Sequence, residues 1–432
     1  MKIFNFLLLL ILPLWSQSQP NFELTKLGDT KTGHTLMVFG GIHGNEPGGY
    51  FAPAILAQFY TITKGALWVI PDINQQSITR FRRGVNGDMN RKFAKISKKD
   101  PDYPTVTALK KLINNKNVDL ILNLHDGHGY YRLKYHNGTF NPKAWGQSCV
   151  IDQLCINDSN ATFGKLGDIA DKVSKKLNSG LLAKHHTFGV KNTKTRKQDK
   201  AMQLSLTYYA ITNNKPAFAI ETSKNMKKIS DKVFYQLRAI EAFMSIMGIE
   251  FQRKFKFTKK GVAAVVKDYG KIHINDNISF DLSNLKPILR YIPIKESNNT
   301  FKLSHPLADV VRRKTHYEVF IGHLRVVSLF EQKFPMDCSL KEVGLLVDGK
   351  KKQQNIASSF NVKKNFSVLL PKDYRVNVIG YTNKKHQNEK GITIAYRDMV
   401  KRFAIDRNRR RFRVEIYHKE KFCGMLIVNF RS

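Results

Sequence analysis

Polar residues of the kinds that bind metal ions follow three apolar runs of the sequence. His43 and Glu46 come after the run TLMVF, His125 comes after VDLILNL, and Glu221 ends the run AFAIE. Short, continuous apolar runs predict buried strands. Ligands of open α/β sheets bind beyond the carboxyl ends of the strands. We therefore expect the four side chains to share one crevice if the three strands are neighbours.

Two histidines and one carboxylate are typical of a catalytic zinc site, which keeps its fourth position open, whereas structural zinc sites more often have four ligands that include cysteine. His43 and Glu46 alone are weak evidence, because many solvated turns contain a histidine and an acid. Together with His125 they predict a hydrolytic Zn²⁺ site, and Glu221 is then free to act as a general base. His128 is the alternative to His125, but it lies in a glycine-rich turn beyond the strand.

The stretch RFRRGVNGDMNRKF, at residues 80–93, supplies several arginines close to one another. A guanidinium group can bind a carboxylate through two parallel hydrogen bonds, which the ammonium group of lysine cannot do. This stretch is therefore a candidate for binding an acidic substrate group. The alternative interpretation is a solvated basic loop.

Residues 21 to about 245 alternate apolar runs with helical stretches, which is typical of an α/β domain with a central sheet. The predicted strands are TLMVF (35–39), ALWVI (66–70), VDLILNL (118–124) and AFAIE (217–221). The predicted helices are PGGYFAPAILAQFY (47–60), with a proline in its first turn, and DKVFYQLRAIEAFMSIMG (231–248), which ends at a glycine.

After about residue 250 the pattern changes to short β-rich runs, and the last of them reads as a hairpin that turns near His418 to Lys421. We therefore predict an α/β fold with a mixed central sheet and flanking helices, followed by two small all-β domains. The predicted bounds are 19–248 for the α/β domain, 249–335 for a β-rich domain and 336–432 for a β-sandwich-like domain.

The first eighteen residues, MKIFNFLLLLILPLWSQS, combine a basic Lys2 with an apolar core and the small residues Ser16 and Ser18. The apolar core has about a dozen residues, whereas a membrane-spanning helix needs roughly 20. We predict a signal peptide that is cleaved near residue 18, and no integral membrane segment afterwards. An uncleaved anchor is the alternative.

The formal net charge of +38 favours anionic partners such as nucleic acid, acidic lipid or the carboxylates of a cell-wall polymer. Export argues against nucleic acid as the partner. The lysines are spread along the whole chain, so a general preference for lysine in the genome explains the charge equally well.

Four cysteines occur in the chain. Cys149 and Cys155 are close enough in sequence for a local disulfide, and Cys338 and Cys423 could link the C-terminal region. Three connectivities are possible. No cysteine spacing indicates a metal site.

Over roughly residues 30–225 the chain resembles the zinc carboxypeptidases of the funnelin type, and its HGNE element also resembles the succinylglutamate desuccinylase and aspartoacylase branch. The resemblance rests on four motifs in the family's order: the His43 and Glu46 turn, the strand with His125, the GDMNRKF segment and the strand with Glu221. It implies that Zn²⁺ is bound by His43, Glu46 and His125, with Glu221 as the general base.

The resemblance also assigns roles within the arginine-rich stretch. Asn90 and Arg91 match the pair that binds the terminal carboxylate of the substrate, and Arg83 matches the arginine that faces the scissile carbonyl, although Arg80 and Arg82 compete for that role. Side chains that could line the same pocket, or belong to the core, are Trp145, Thr207 and Tyr208.

An exported carboxypeptidase with two following β domains is similar to the peptidoglycan D,L-carboxypeptidases that determine cell shape in helical Gram-negative bacteria. This similarity implies a periplasmic enzyme that cleaves the bond between γ-D-glutamate and meso-diaminopimelate of the tripeptide stem and leaves a dipeptide. Some members of that group have glutamine where this chain has His43, while histidine is the commoner ligand in the wider family.

Two alternatives remain open from the sequence. The first is an amidohydrolase of the desuccinylase and aspartoacylase branch, which would normally be cytosolic and lack the β-rich extension. The second is an inactive scaffold that binds peptidoglycan without cleaving it. The complete set of histidines, acids and arginines argues against the scaffold. The oligomeric state does not follow from the sequence.

Overall fold

The computed structural model describes residues 22–156, 161–336, 339–382 and 388–431. The predicted signal peptide (1–18) and Cys338 lie outside these ranges. Within them, no helix combines the length and the apolar character needed to cross a bilayer.

The first part of the chain forms an α/β unit with ten strands and seven α-helices among the described residues. The strands are β1 (Thr25–Gly28), β2 (Thr35–Phe39), β3 (Tyr60–Lys64), β4 (Ala66–Ile70), β5 (Leu120–Gly127), β6 (Tyr130–Tyr131), β7 (Phe140–Asn141), β8 (Ser148–Ile151), β9 (Gly189–Asn192) and β10 (Ala217–Ser223). The helices are α1 (Pro47–Phe59), α2 (Gln75–Thr79), α3 (Tyr103–Ile113), α4 (Leu166–Asn178), α5 (Thr195–Gln198), α6 (Leu206–Thr212) and α7 (Ile229–Ile246).

Seven of these strands form one sheet in the order β1-β4-β2-β5-β10-β8-β9. The central strands β4, β2, β5 and β10 are parallel, whereas β1 and β8 run antiparallel to their neighbours β4 and β10. The four central strands are buried along their whole length, as expected for parallel strands covered on both faces. The predicted fold class, a mixed central sheet with flanking helices, is confirmed.

Two strands extend further than their apolar runs. β5 continues through His125 to Gly127, and β10 continues through Glu221 to Ser223. The two strands stay paired beyond the apolar runs. Glu221 pairs with His125 in the parallel register, and the next two residue pairs follow in the same register. The polar residues at these positions are therefore part of the sheet rather than of the loops after it.

The second part of the chain is rich in short strands. Its elements are β11 (Glu250–Arg253), α8 (Lys259–Val265), β12 (Lys271–Ile274), β13 (Ile278–Asp281), β14 (Ile288–Ile294), β15 (Phe301–Leu303), β16 (Ala308–Arg312), β17 (His316–Ile321) and β18 (Leu324–Lys333). β12, β13 and β15 form one sheet, and β14, β16, β17 and β18 form another. β11 instead pairs with β3 of the α/β unit.

The third part is a sandwich of two four-stranded sheets. Its strands are β19 (Glu342–Val347), β20 (Lys350–Asn355), β21 (Ser358–Val362), β22 (Asn365–Leu369), β23 (Tyr374–Val378), β24 (Ile394–Ala395), β25 (Arg411–His418) and β26 (Lys421–Phe430). One sheet has the order β20-β19-β22-β24 and the other β21-β26-β25-β23. Apolar residues of both sheets form one buried core. The predicted hairpin at His418 to Lys421 is confirmed as β25 and β26.

The possible local disulfide between Cys149 and Cys155 is not formed, because both residues are free thiols. Cys149 lies in the middle of β8, where its side chain is fully buried in the core, whereas Cys155 is exposed after the strand. The two thiols therefore lie in different environments in spite of their closeness in sequence. The other possible pair includes Cys338, which lies outside the described residues.

Candidate metal centre and substrate cavity

The turn between β2 and α1 carries two of the predicted metal ligands. The chain leaves the sheet after Phe39 and enters α1 at Pro47, and Gly41 takes a left-handed φ of +73°. A Cβ atom on Gly44 would lie 2.0 Å from the carbonyl carbon of Ser77, so the turn can pass this close only with glycine at that position. This close approach directs the side chains of His43 and Glu46 toward the carboxyl end of β5.

His43, Glu46 and His125 bring three donor atoms together in a buried position. Their side chains are 2%, 4% and 5% exposed. Nδ1 of His43 lies 3.1 Å from Oε2 of Glu46, Nδ1 of His125 lies 2.9 Å from the same oxygen, and the two ring nitrogens are 3.1 Å apart. Ligand atoms of a tetrahedral Zn²⁺ site are about 3.3 Å apart. The donor atoms and their spacing therefore fit a divalent metal ion.

A second carboxylate, Asp88, orients this group. Its Oδ1 lies 2.8 Å from Nε2 of His43, while its Oδ2 accepts a hydrogen bond of 2.9 Å from Nε of Arg83. A metal-binding histidine usually donates its other ring nitrogen to such a carboxylate, which fixes the ring and its tautomer. Asp88 is not among the residues predicted for the site, although it lies two residues before Asn90 in the GDMNRKF segment.

Two cations contact the remaining oxygen of Glu46. Arg83 donates to Oε1 of Glu46 at 3.3 Å, and Nζ of Lys224 lies 3.1 Å from the same atom. The structure thus places Arg83 beside the predicted metal ligands. Lys224 is not among the predicted site residues either. It lies three residues after Glu221, but no pattern distinguishes it from the many other lysines.

The charges of this group shift the pKa values of its members. Burial opposes protonation of His43, but the carboxylates of Glu46 and Asp88 outweigh burial and raise its pKa. Burial also opposes ionisation of Glu46, but the two histidines outweigh it and hold its pKa well below the ordinary value. Burial lowers the pKa of His125, and its contact with Glu46 does not reverse that shift.

Glu221 lies beside His125 on the neighbouring strand and faces the same space. It is buried, and burial raises its pKa well above the ordinary value, as do the negative charges of Glu46 and Asp126. Asp126 itself is held in the core by Nζ of Lys232 at 3.3 Å and by the backbone N–H of Gly48 at 2.9 Å. It thereby connects the end of β5 to the first turn of α1.

A cavity of about 270 Å³ joins the metal-binding group to the predicted substrate-binding residues. Among its walls are His43, Glu46, Arg83, Asn90, Arg91, Asn123, His125, His128, Trp145, Val150, Met202, Thr207, Ala219, Glu221 and Lys224. Every predicted site residue therefore borders one space. Arg80, Arg82 and Tyr208 are not among the described residues that line it. His128 lines the cavity but does not belong to the cluster of metal-binding donor atoms.

Asn90 and Arg91 are fixed by the structure at one side of this cavity. Oδ1 of the buried Asn90 accepts a hydrogen bond of 3.0 Å from the backbone N–H of Leu206. The guanidinium of Arg91 donates to the backbone oxygen of Asn90 at 2.9 Å and lies 3.7 Å from Sδ of Met202. Most of its N–H groups are therefore available to an acidic substrate group.

Comparisons with known proteins agree with this geometry. Residues 7–267 match a family described as the catalytic part of a carboxypeptidase controlling helical cell shape, and residues 336–431 match one described as the C-terminal domain of a metallo-carboxypeptidase. A search of curated proteins found no match.

Several crystal structures of the cell shape determinant protein Csd4 from Helicobacter pylori are similar over almost the whole chain. The apo form is 34% identical, covers 95% of this chain and 100% of its own, and has a TM-score of 0.86. The form bound to mDAP is described as a D,L-carboxypeptidase, with 34% identity, the same coverage and a TM-score of 0.85. A variant of Csd4 in which a glutamine is replaced by histidine is 35% identical, with the same coverage and a TM-score of 0.85.

The catalytic family model spans more than half of the chain, and the Csd4 structures cover 95% of it. The chain also has a buried group of side chains, His43, Glu46 and His125, that could hold a metal ion. The chain therefore belongs to the family of metallocarboxypeptidases that control helical cell shape.

Proposed function

We propose that the chain is a zinc-dependent D,L-carboxypeptidase that releases meso-diaminopimelate from peptidoglycan tripeptide stems and leaves dipeptide stems. One observation carries this proposal: the metal-binding group and Arg91 border the same small cavity. A carboxylate held by a guanidinium in the same cavity as the reacting carbonyl restricts cleavage to the last residue of a peptide. The forms of Csd4 bound to a tripeptide and to mDAP support the choice of substrate.

Each side chain has a role in this reaction. His43, Glu46 and His125 would hold Zn²⁺, which would supply Lewis acidity at the scissile carbonyl. Glu221 takes a proton from the attacking water and later passes it to the leaving amine. Its raised pKa suits that role, because a general base works best when its pKa lies near the working pH.

The remaining site residues bind the substrate. Asn90 and Arg91 hold its terminal carboxylate, and this contact orients the peptide before the reaction. Arg83 stabilises the negative charge that develops on the carbonyl oxygen. Lys224, which contacts Glu46 from the other side, adds a second positive charge near the same reacting centre.

We further propose that residues 1–18 are a cleaved signal peptide, that the mature protein acts in the periplasm and that peptidoglycan is its partner. The divisions 19–248, 249–335 and 336–432 are proposed as a carboxypeptidase domain and two β domains. The net charge of +38 supports association with a polyanionic cell wall, since opposite charges concentrate an enzyme near its substrate.

Digestion of purified muropeptides tests the proposal. Zinc-loaded protein is expected to convert tripeptide stems to dipeptide stems with release of meso-diaminopimelate, as measured by mass spectrometry. A chelator and the substitution Glu221→Gln should each abolish turnover. Glu241→Gln is the matched control, because Glu241 is also a mostly buried carboxyl with a raised pKa but hydrogen-bonds Tyr60 instead of facing the cavity.

The outcomes separate the possible activities. Survival of tripeptide stems, together with cleavage of tetrapeptide stems or of acylated amino acids, would contradict the proposed substrate. Retention on purified sacculi without any cleavage would indicate a binding scaffold. Turnover by the Glu221 variant at the wild-type rate would show that another group is the general base.

A further inference from the structure

The stretch DRNRRRFR, at residues 406–413, has five arginines within eight residues. It leads into β25, which is paired with β26 on one side and with β23 on the other. Positive charges often protect an exposed sheet edge from pairing with another chain, but β25 has no free edge to protect. The position of these arginines therefore needs another explanation.

A cleft of about 660 Å³ lies where this stretch meets the second part of the chain. Binding pockets of proteins have volumes of roughly 300–1,000 Å³ and often lie between domains. The residues that give the cleft its polar donors, and that define what we call the basic cleft, are Asn284, Asn408, Arg410, Arg411, Asn429 and Arg431. The basic cleft shares no residue with the wall of the catalytic cavity.

Hydrogen bonds hold the two walls of the basic cleft together. The backbone N–H of Arg407 donates to the backbone oxygen of Asn284 at 3.0 Å. The guanidinium of Arg411 donates to the backbone oxygen of Ser283 at 2.6 Å. Because these contacts already fix the walls, little conformational freedom is lost when a ligand enters the cleft.

Two acids also line the cleft, and their contacts lie with other groups than its outer arginines. Oδ1 of the buried Asp406 accepts hydrogen bonds from the backbone N–H groups of Arg410 at 2.9 Å and of Arg411 at 2.8 Å. Oδ2 of Asp281 lies 3.7 Å from the guanidinium of Arg411. Asp406 thus fixes the backbone of the stretch, and Asp281 pairs with the arginine that joins the two walls.

Arg410 and Arg431 offer their guanidinium groups to a ligand. The guanidinium of Arg410 lies 4.4 Å from the centroid of the Tyr396 ring, a contact that orients the side chain without an acceptor for its N–H groups. Among the residues that the structure describes, neither guanidinium has a hydrogen-bond or ion-pair partner, and the same holds for the side-chain amides of Asn284 and Asn408. The cleft therefore presents two unpaired positive charges beside neutral amide groups.

We infer that the basic cleft binds a strand of peptidoglycan at a distance from the stem that is being cut, through stem carboxylates and the acetamido groups of the sugars. This inference rests on the proposed function, which makes peptidoglycan the substrate. A guanidinium binds a carboxylate through two parallel hydrogen bonds, and carboxamides offer both a donor and an acceptor to an acetamido group. A polymer held at two places keeps its stems concentrated near the catalytic cavity.

The shape of the cleft favours this ligand over an anionic membrane. Protein surfaces that enter a membrane interface combine positive charges with exposed apolar or aromatic side chains. The basic cleft is concave, and the apolar residue among those that line it, Phe430, is buried.

Co-sedimentation with purified sacculi tests the inference. Zinc-loaded protein with Glu221→Gln is used so that the wall stays intact. The added double substitution Arg410→Gln and Arg431→Gln removes two partly exposed charges and should weaken binding roughly tenfold. Arg375→Gln is the matched control, because Arg375 also stacks on a tyrosine, Tyr417 at 4.2 Å, but lies near the other end of β25, roughly 20 Å from the cleft. It should leave binding unchanged.

Two further samples identify the ligand. Sacculi whose carboxylates have been converted to neutral amides should bind the proteins with and without the double substitution equally well, because the partner of the two arginines is gone. Vesicles that contain phosphatidylglycerol should also bind both proteins equally. Weaker vesicle binding by the double variant, with unchanged binding to sacculi, would overturn the inference in favour of a membrane surface.

Hydrolysis separates this inference from the proposed function. With Glu221 intact, the double variant should cut soluble tripeptide muropeptides with the kcat/KM of wild type, which also shows that it is folded, whereas its rate on intact sacculi should fall by about the factor found for binding. If neither protein cuts tripeptide stems, the proposed reaction fails, but binding to sacculi that depends on the two arginines still supports the cleft. Equal binding and equal rates on sacculi would overturn the role of the cleft and leave the reaction intact.

Discussion

Asp88 should control metal affinity without binding the metal. It holds Nε2 of His43 at 2.8 Å, accepts from Arg83 at 2.9 Å and accepts from the backbone N–H of Asn90 at 2.9 Å. One carboxylate thus fixes a metal-binding ring, the arginine beside it and the start of the carboxylate-binding segment. We predict that Asp88→Asn weakens zinc binding and slows hydrolysis, although no metal-binding atom is removed.

The size of the effect follows from these contacts. The carboxylate of Asp88 is ionised at neutral pH because the contacts with His43 and Arg83 outweigh burial and lower its pKa strongly. Asparagine can still accept from the His43 ring, but its amide nitrogen cannot accept from Arg83. One charge-assisted hydrogen bond is lost and another becomes neutral, and each such bond contributes about 1.5–3 kcal/mol. Substitution of partners of this kind typically costs 10- to 100-fold in metal affinity or activity.

Competition between the protein and a chelator of known zinc affinity measures the first quantity, and kcat/KM at saturating zinc measures the second. Asp100→Asn is the matched control, since Asp100 lies in the same region and pairs with Lys92 without contact to the metal-binding group. Zinc affinity and kcat/KM that both stay within twofold of wild type would refute the orienting role of Asp88. An equal loss in the Asp100 variant would assign the effect to the loop as a whole.

Three further changes have expected outcomes. Gly44→Ala should abolish zinc binding, measured by metal content after dialysis, because its Cβ would meet the backbone of Ser77 at 2.0 Å; full metal content would contradict this. Lys224→Met should reduce kcat/KM about tenfold through loss of a charge-assisted bond, and wild-type kinetics would exclude a role for that charge. Burial lowers the pKa of His323 to about 4, with a smaller contribution from the positive charge of Lys232. As pH falls, this imidazole is therefore protonated in the unfolded chain before it is protonated in the folded protein. The free energy of unfolding should decrease as pH drops from 6.5 to 4. Chemical denaturation of His323→Phe should show a weaker dependence over that range, and an unchanged slope would refute the assignment.

The central part of the fold was predictable because its buried strands are continuous apolar runs in the sequence. TLMVF corresponds residue by residue to β2, and the helix predicted at 47–60 is found at 47–59. The predicted strands stopped at residues 124 and 221, whereas β5 and β10 continue to Gly127 and Ser223, because composition shows where apolar runs stop but not where hydrogen bonding stops. The parallel pairing of Glu221 with His125 extends both strands beyond their apolar parts.

Site residues were predictable where the residue type is rare in the chain and the residue directly follows a predicted strand. His43, Glu46 and His125 meet these conditions, and the structure brings them within hydrogen-bond distance of one another. Lys224 does not meet them, since lysine is abundant in this chain. Only its three-dimensional neighbour Glu46 distinguishes it from the other lysines.

The second part of the chain packs against α1 and against the segment that carries Arg83. The tip of the β17 and β18 hairpin places Nδ1 of His323 at 2.6 Å from the hydroxyl of Tyr50 in α1, and Phe81 stacks on the same imidazole at 4.4 Å between ring centroids. Phe81 lies two residues before Arg83 and has a left-handed backbone conformation. Such a conformation costs free energy and persists only where contacts hold the residue in place. The β-rich part therefore helps to fix the segment that carries Arg83. The change from helical to β-rich sequence near residue 250 marks a change of element type, while the hydrophobic core continues across it.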